Sequence, residues 1–264
     1  MAERLALVTG ASTGIGLELA RCAARDGHDL LIAANEPEIE GAAEELRREG
    51  VAVEARQLDL STEEGVLDLW HSLGAREVDV VVANAGIGYG HRFVEQGWPE
   101  VRETIGLNVV GTTLLLHRAL PRMLARGEGR ILVTGSVAGL MPGAFMATYN
   151  ATKAYLDSIS YAIREEIRDL PGEVTITCLM PGATETPFFD RGGMRDTVMG
   201  ESPKRGPEFV AQAGWEAMKA GDAGVTPGLL NNLMAAFAGV IPDAVLARMH
   251  RAMVEPASED AAAR

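Results

Sequence analysis

The sequence predicts a single α/β domain: a doubly wound parallel sheet with helices on both faces. Three observations carry that expectation. Short apolar runs at Leu5–Thr9, Leu30–Ala34, Ala52–Gln57, Val78–Ala83, Arg130–Thr134 and Val174–Met180 have strand length and strand composition. Amphipathic stretches long enough for helices separate them, and parallel strands joined by right-handed crossovers place those helices over both sheet faces. A chain of 264 residues that is 47% hydrophobic can bury the core such a sheet requires.

Composition narrows the function classes. A formal net charge of −13 argues against a nucleic-acid partner, because phosphate binding needs clustered Lys and Arg. Cys22 and Cys178 fall in a predicted helix and strand, so they read as packing residues and fit a reducing, cytoplasmic setting. The apolar start at Leu5–Thr9 is too short for a secretory core. The stretch Leu229–Ile241, interrupted by Asn231 and Asn232, falls short of the roughly 20 residues of a membrane span and reads as a packed C-terminal helix. One domain is expected over residues 1–257, with a disordered tail at 258–264. Within it, Thr184–Pro207 is rich in Gly and Pro yet carries Phe188, Phe189 and Met194, the pattern of a lid.

The first strand runs into Thr9-Gly10-Ala11-Ser12-Thr13-Gly14-Ile15-Gly16 and then a helix. Glycines in that rhythm permit positive φ and close approach of backbone to a pyrophosphate, which the helix N-terminus would face. Gly10, Ser12, Thr13, Gly14, Ile15 and Gly16 are therefore candidate dinucleotide contacts. No Gly-Lys-Ser/Thr follows, so a phosphoryl-transfer loop lacks its lysine. Asp59 and Leu60 end the third strand and Asn84-Ala85-Gly86 the fourth, where a cofactor lying across the strand ends would meet them. Asp59 could accept from an adenine amino group, although Asp and Asn are also common turn formers.

The fifth strand ends at Thr134-Gly135-Ser136, and Tyr149 and Lys153 follow at i and i+4 on a helical face. A tyrosine of pKa about 10 is a weak base at neutral pH, and a neighbouring ammonium favours its phenolate. Ser136 would hydrogen-bond a substrate oxygen, Tyr149 would exchange a proton with it, and a nicotinamide would exchange hydride with carbon. The pair alone also arises on helices by chance. Asn108, in the apolar stretch Ile105–Val110, needs hydrogen-bond partners in any case, which leaves a purely structural reading open.

Together these motifs resemble the standard-length branch of the short-chain dehydrogenase/reductases, from Leu5 to about Thr186. Thr9 to Gly16 matches the family's glycine pattern, Asn84 to Gly86 its Asn-Ala-Gly, and Asn108, Ser136, Tyr149 and Lys153 its four catalytic residues. Pro181-Gly182 and Thr186 resemble the segment beside the nicotinamide, with Thr184 where Val is more usual. The resemblance implies a Rossmann-type fold, Lys153 on the nicotinamide ribose, and a helix kinked at Asn108, which holds a water that links Lys153 to solvent. It also implies pairing of the helices around Pro99–Arg126 and Met146–Leu170 into a homodimer or homotetramer.

The cofactor is expected to be NAD or NADP, with a lean to NAD. In the family that the chain resembles, Asp at the end of the second strand usually marks NAD, and Arg or Lys there or before Gly14 marks NADP. Ala34, Asn35 and Thr13 match neither, while Glu36 would repel a 2′-phosphate unless Arg191 or Arg195 reached it. No metal site is expected. Ala138, Phe145, Tyr89 and Phe188 are candidate substrate contacts, joined by Met141, Phe189 and Met194 in an apolar pocket for a hydrophobic ketone, aldehyde or alcohol. His91 reads first as a solvent-facing loop residue. The alternatives are a non-catalytic dinucleotide-binding regulatory or scaffold protein, against which intact Ser136, Tyr149 and Lys153 argue, and a dehydratase or epimerase using the cofactor transiently.

Overall fold

A seven-stranded, all-parallel sheet runs in the order β3-β2-β1-β4-β5-β6-β7. The computed structural model describes residues 4–228 and 241–255. The apolar segment 229–240 and the tail from residue 256, where a packed C-terminal helix and a disordered end are expected, lie outside the described residues.

The order of elements is β1 (Leu5–Thr9), α1 (Gly14–Arg25), β2 (Asp29–Ala34), α2 (Glu38–Arg47), β3 (Val53–Gln57), α3 (Glu63–Ser72) and β4 (Val80–Ala83). Then follow α4 (Trp98–Ile105), α5 (Thr112–Arg126), β5 (Glu128–Thr134), α6 (Ala147–Ile167) and β6 (Glu173–Leu179). The chain continues through α7 (Phe188–Arg191), α8 (Val198–Glu201), α9 (Pro207–Ala220), β7 (Gly224–Val225) and α10 (Asp243–Val254). Every strand expected from the apolar runs is present within two residues at its ends. The expectation lacked β7, whose two residues pair with Cys178 and Leu179 and are too short to leave a periodic signal.

Strand side chains alternate between two core layers, as the pleat requires. Ala6, Val8, Leu30 and Ile32 pack with Leu19 of α1, Leu46 of α2 and Trp215 of α9. Leu7, Leu31, Val81 and Ile131 pack on the other face with Leu69 of α3, Leu116 of α5 and Leu156 of α6. Covering both faces leaves the carboxyl ends of the strands as the open edge where loops can form a site.

The single helix expected over Pro99–Arg126 is divided into α4 and α5 by one π-helical turn at Gly106–Gly111, which carries Asn108. Such a turn inserts a residue and re-aims the side chain inside it. Segment 184–207 forms α7 and α8, held by buried Phe189 and Met194 and by a bridge between Thr184 and Arg205. Among the described residues no helix is long and apolar enough to cross a membrane.

Candidate active site

The loop between β1 and α1 forms a cradle at the open edge. Gly10 and Gly14 adopt φ of 66° and 58°, in the left-handed region that favours glycine. A Cβ on Gly16 would lie 2.0 Å from the Gly10 carbonyl oxygen, so only glycine permits the turn to close so tightly. Thr13 makes no side-chain cap on α1, whose first N–H groups lack intrahelical acceptors and face the cavity end of the helix. An anion-sized space, uncapped amides and missing side chains are what a dinucleotide pyrophosphate requires, so the residues fit that group.

One cavity of about 520 Å³ is lined by every cofactor-side candidate, from Gly10 in the cradle to Thr186 beyond β6. Their roles differ from the expectation in two places. Asn84 is a clamp: its amide donates to the Thr9 and Gly10 carbonyls at 3.1 and 3.3 Å and accepts from Thr134 Oγ1 at 3.1 Å. It therefore ties three strand ends together and leaves Ala85 and Gly86 backbone to face the cavity. Asp59 Oδ1 accepts from the Ser61 N–H at 2.9 Å, a local turn that uses one of the two oxygens offered to adenine.

The premise that Glu36 stands without a cation is corrected. Glu36 accepts from Ser12 Oγ at 2.9 Å, and Arg191 of α7 lies 2.5 Å from its other oxygen. Arg191 reaches across from the lid segment, one of the two cations that the sequence offered there. Arg195 instead pairs with Asp190.

Ser136, Tyr149 and Lys153 line the same cavity, beside Gly86 and Pro181. The Ser136 hydroxyl donates to the Pro181 carbonyl at 3.3 Å and accepts from the Ala138 N–H at 3.1 Å. Lys153 Nζ donates to the Thr134 carbonyl at 2.7 Å and lies 5.7 Å from the centre of the Tyr149 ring. Asn108 is fully buried and does not line the cavity. Its amide donates to the Ile87 carbonyl and Thr152 Oγ1, both at 2.9 Å, and accepts from the Ile87 N–H at 3.0 Å. Three protein partners satisfy that side chain, so it fixes the Gly86 turn against α6.

Burial dominates the protonation of this group. It pushes the Tyr149 phenol up to about 12, with the Ser136 hydroxyl pulling the other way. Burial also pushes Lys153 down to about 8, opposed by Asp157. The Lys153 ammonium donates to the Thr134 carbonyl, and burial favours the protonated phenol. A protonated phenol suits Tyr149 to giving a proton at neutral pH.

Asp157 escaped the sequence reading. It lies one further turn along the Tyr149–Lys153 face of α6, and that i+4 spacing was the signal available. Its Oδ1 accepts from the Ser136 N–H at 3.3 Å and from Cys178 Sγ at 3.4 Å. A Cβ on Gly135 would lie 1.8 Å from that oxygen, and one on Gly139 2.3 Å from Oδ2, so the serine turn is moulded around this carboxyl. Burial pushes the carboxyl up to about 6, while its bonds to Cys178 and Ser136 draw it back.

A family model described as short chain dehydrogenase matches residues 4–193. The chain belongs to the short-chain dehydrogenase/reductase family. The very-long-chain 3-oxoacyl-CoA reductase of Laccaria bicolor is 37% identical over 169 residues, which cover 62% of this chain and 50% of that protein. The 17-beta-hydroxysteroid dehydrogenase type 1 of Homo sapiens is 33% identical over 198 residues, 72% of this chain and 60% of the relative. The chain thus spans 50% and 60% of the length of these two relatives. Among solved structures, a short-chain dehydrogenase from Sphingobium yanoikuyae in complex with NADPH is 28% identical, with a TM-score of 0.78 and coverage of 91% of this chain and 97% of that one.

On the substrate side of this short-chain dehydrogenase/reductase, two of the four expected contacts line the cavity. Ala138 and Phe188 line the cavity, as do Met141 and Phe189. Tyr89 turns away, donating its hydroxyl to Glu103 Oε2 at 2.8 Å. Phe145 takes a φ of 66°, packs with Met146, Phe189 and Met194, and stacks under Arg92 at 5.6 Å. Neither it nor His91 and Met194 lines the cavity. Met199 of the expected lid also lines it, and the walls outside the expected segments are Met146 and, from α10, His250 and Met253. They come from loop and C-terminal segments with no motif to mark them.

Proposed function

We propose that this protein is an NAD(P)-dependent oxidoreductase that interconverts a hydrophobic ketone or aldehyde and its alcohol, with Tyr149 as the general acid and base. The observation that carries the reading is that Ser136, Tyr149 and Lys153 open onto the same cavity as the glycine cradle. The nicotinamide ring, when bound, supplies or accepts the hydride. Ser136 orients the substrate oxygen with its hydroxyl. The Tyr149 phenol gives that oxygen a proton as negative charge develops on it, and takes one back in the oxidative direction. Lys153, a buried cation at the base of the tyrosine, stabilises the phenolate left after proton transfer. Asn108 holds the Gly86 turn and α6 in register, and the water link to Lys153 implied by the family is part of the proposal. Consumption of reduced nicotinamide, followed by absorbance across a panel of ketones with each cofactor, tests the reading. No consumption with any ketone would favour the scaffold alternative.

The preference for NAD belongs to the same proposal. Glu36 can accept from a ribose hydroxyl, whereas a 2′-phosphate must draw Arg191 away from Glu36 or share it. NAD(H) is expected to bind at least about tenfold tighter than NADP(H), a difference of about 1.4 kcal/mol. Arg191→Ala should widen that gap and Glu36→Gln should narrow or invert it, read from dissociation constants by cofactor fluorescence. A tenfold preference of the wild type for NADPH would contradict the electrostatic reasoning.

A homodimer or homotetramer completes the reading. Val110, Tyr155 and Tyr161, on the π-helical turn and α6, remain exposed, apolar surface that a second copy would cover. Light scattering at micromolar concentration should give at least a dimer, and a monomer would contradict it.

A further inference from the structure

We propose that His250 is a substrate-recognition residue whose Nε2 accepts a hydrogen bond from a hydroxyl or N–H group that the substrate carries in addition to its reacting carbonyl. The inference rests on the oxidoreductase reading and names the substrate class more closely: a hydrophobic ketone with a second, hydrogen-bond-donating group.

His250 lies on α10, beyond the residues 4–193 that the family model matches. It is only 2% exposed, yet it lines the cavity that Ser136 and Tyr149 also line. Its Nδ1 lies 2.9 Å from the Ala144 carbonyl oxygen. A carbonyl oxygen can only accept, so Nδ1 carries the proton and donates. Burial holds the imidazole below its ordinary pKa, which leaves the neutral ring with a lone pair on Nε2.

That lone pair has no hydrogen-bond partner among the described residues. A comparison within the molecule shows what this means. His28 Nε2 is also unpartnered but sealed from solvent, its ring set edge-on against Trp215 at 5.9 Å. His250 Nε2 is not among the sealed, unpartnered atoms, and His250 lines the cavity. Apolar walls of the same cavity include Met146, Phe188, Met199 and Met253. A fixed acceptor in an apolar wall leaves a buried group unpaired whenever the ligand lacks a donor, which is how such sites discriminate strongly between a hydroxylated ligand and its deoxy analogue.

Position reinforces the assignment. Ala144 lies between the turn that bears Ser136 and the helix that bears Tyr149, so the bond to its carbonyl ties the imidazole to the loop that sets the reacting pair. His250 bonds to neither of them. The carbonyl oxygen is served by Ser136 and Tyr149, which leaves His250 for a different polar group on the same ligand.

The test is calorimetry on the cofactor-loaded protein with ketone pairs of one carbon frame: cyclohexanone with hydroxycyclohexanone, decalone with hydroxydecalone, and nonanone with hydroxynonanone. The wild type should bind the hydroxylated member of at least one pair about tenfold or more tightly. His250→Phe should erase that preference while keeping affinity for the plain ketone within about threefold, and His250→Gln, which can both donate to Ala144 and present an oxygen, should retain most of it. Four results would overturn the proposal: no discrimination by the wild type, discrimination that survives in His250→Phe, equal losses for both members of a pair, which marks a structural histidine, or no binding of any pair. Discrimination without turnover would instead count against the oxidoreductase reading alone.

Discussion

Tyr149→Phe is expected to lower turnover by about 10²- to 10⁴-fold while cofactor affinity stays unchanged. The substitution removes one hydroxyl and leaves the ring, which packs against Phe188 with centroids 5.1 Å apart and covers Gly88. Lys153 keeps its bond to the Thr134 carbonyl, because that bond does not involve the phenol. The loss should therefore fall on the proton-transfer step and appear in kcat. Stopped-flow turnover and a cofactor titration on the same preparation separate the two quantities. Turnover within a few-fold of wild type would remove Tyr149 from the chemistry.

Gly16→Val should raise the cofactor dissociation constant by at least about 10²-fold, or about 2.7 kcal/mol. The first added carbon would fall 2.0 Å from the Gly10 carbonyl oxygen and 2.5 Å from Asn84 Nδ2. Both neighbours are fixed, one as backbone and the other as the clamp across three strand ends. The cradle must open to admit the side chain, and the amides of α1 then leave the pyrophosphate. Gly41→Val on α2, where an added carbon meets nothing within 4 Å, is the matched control and should leave cofactor binding unchanged. Circular dichroism on both variants separates lost binding from lost folding. Unchanged cofactor titration in a folded Gly16→Val would contradict the cradle.

The central strands β1, β2 and β4 were legible as nearly continuous apolar runs, the pattern of a strand covered on both faces, whereas β3, Val-Glu-Ala-Arg-Gln, is a mixed edge strand. The catalytic residues were legible because their spacing is fixed by local structure: one helical turn from Tyr149 to Lys153, one strand end for Ser136. What stayed hidden depends on contacts between distant segments. Which of Arg191 and Arg195 reaches Glu36 is settled only by the placement of α7, which brings Arg191 to it and leaves Arg195 on Asp190. Tyr89 and Phe145 have the composition of pocket walls, but Glu103 draws one aside and a cluster with Met194 absorbs the other. Burial of the tyrosine was hidden too: sequence spacing reports that a lysine is near, not that the phenol is desolvated.

The most direct measurement follows the hydride itself. The cofactor that supports turnover, reduced and deuterated at the transferring carbon of its nicotinamide, is incubated with a ketone taken from the panel, and the alcohol is examined by mass spectrometry and NMR. One deuterium on the carbinol carbon, with the hydroxyl proton drawn from solvent, is the expected result. Alcohol that forms without deuterium on that carbon, or cofactor that stays reduced while product accumulates, would contradict hydride transfer in the cavity shared by the cradle and Tyr149.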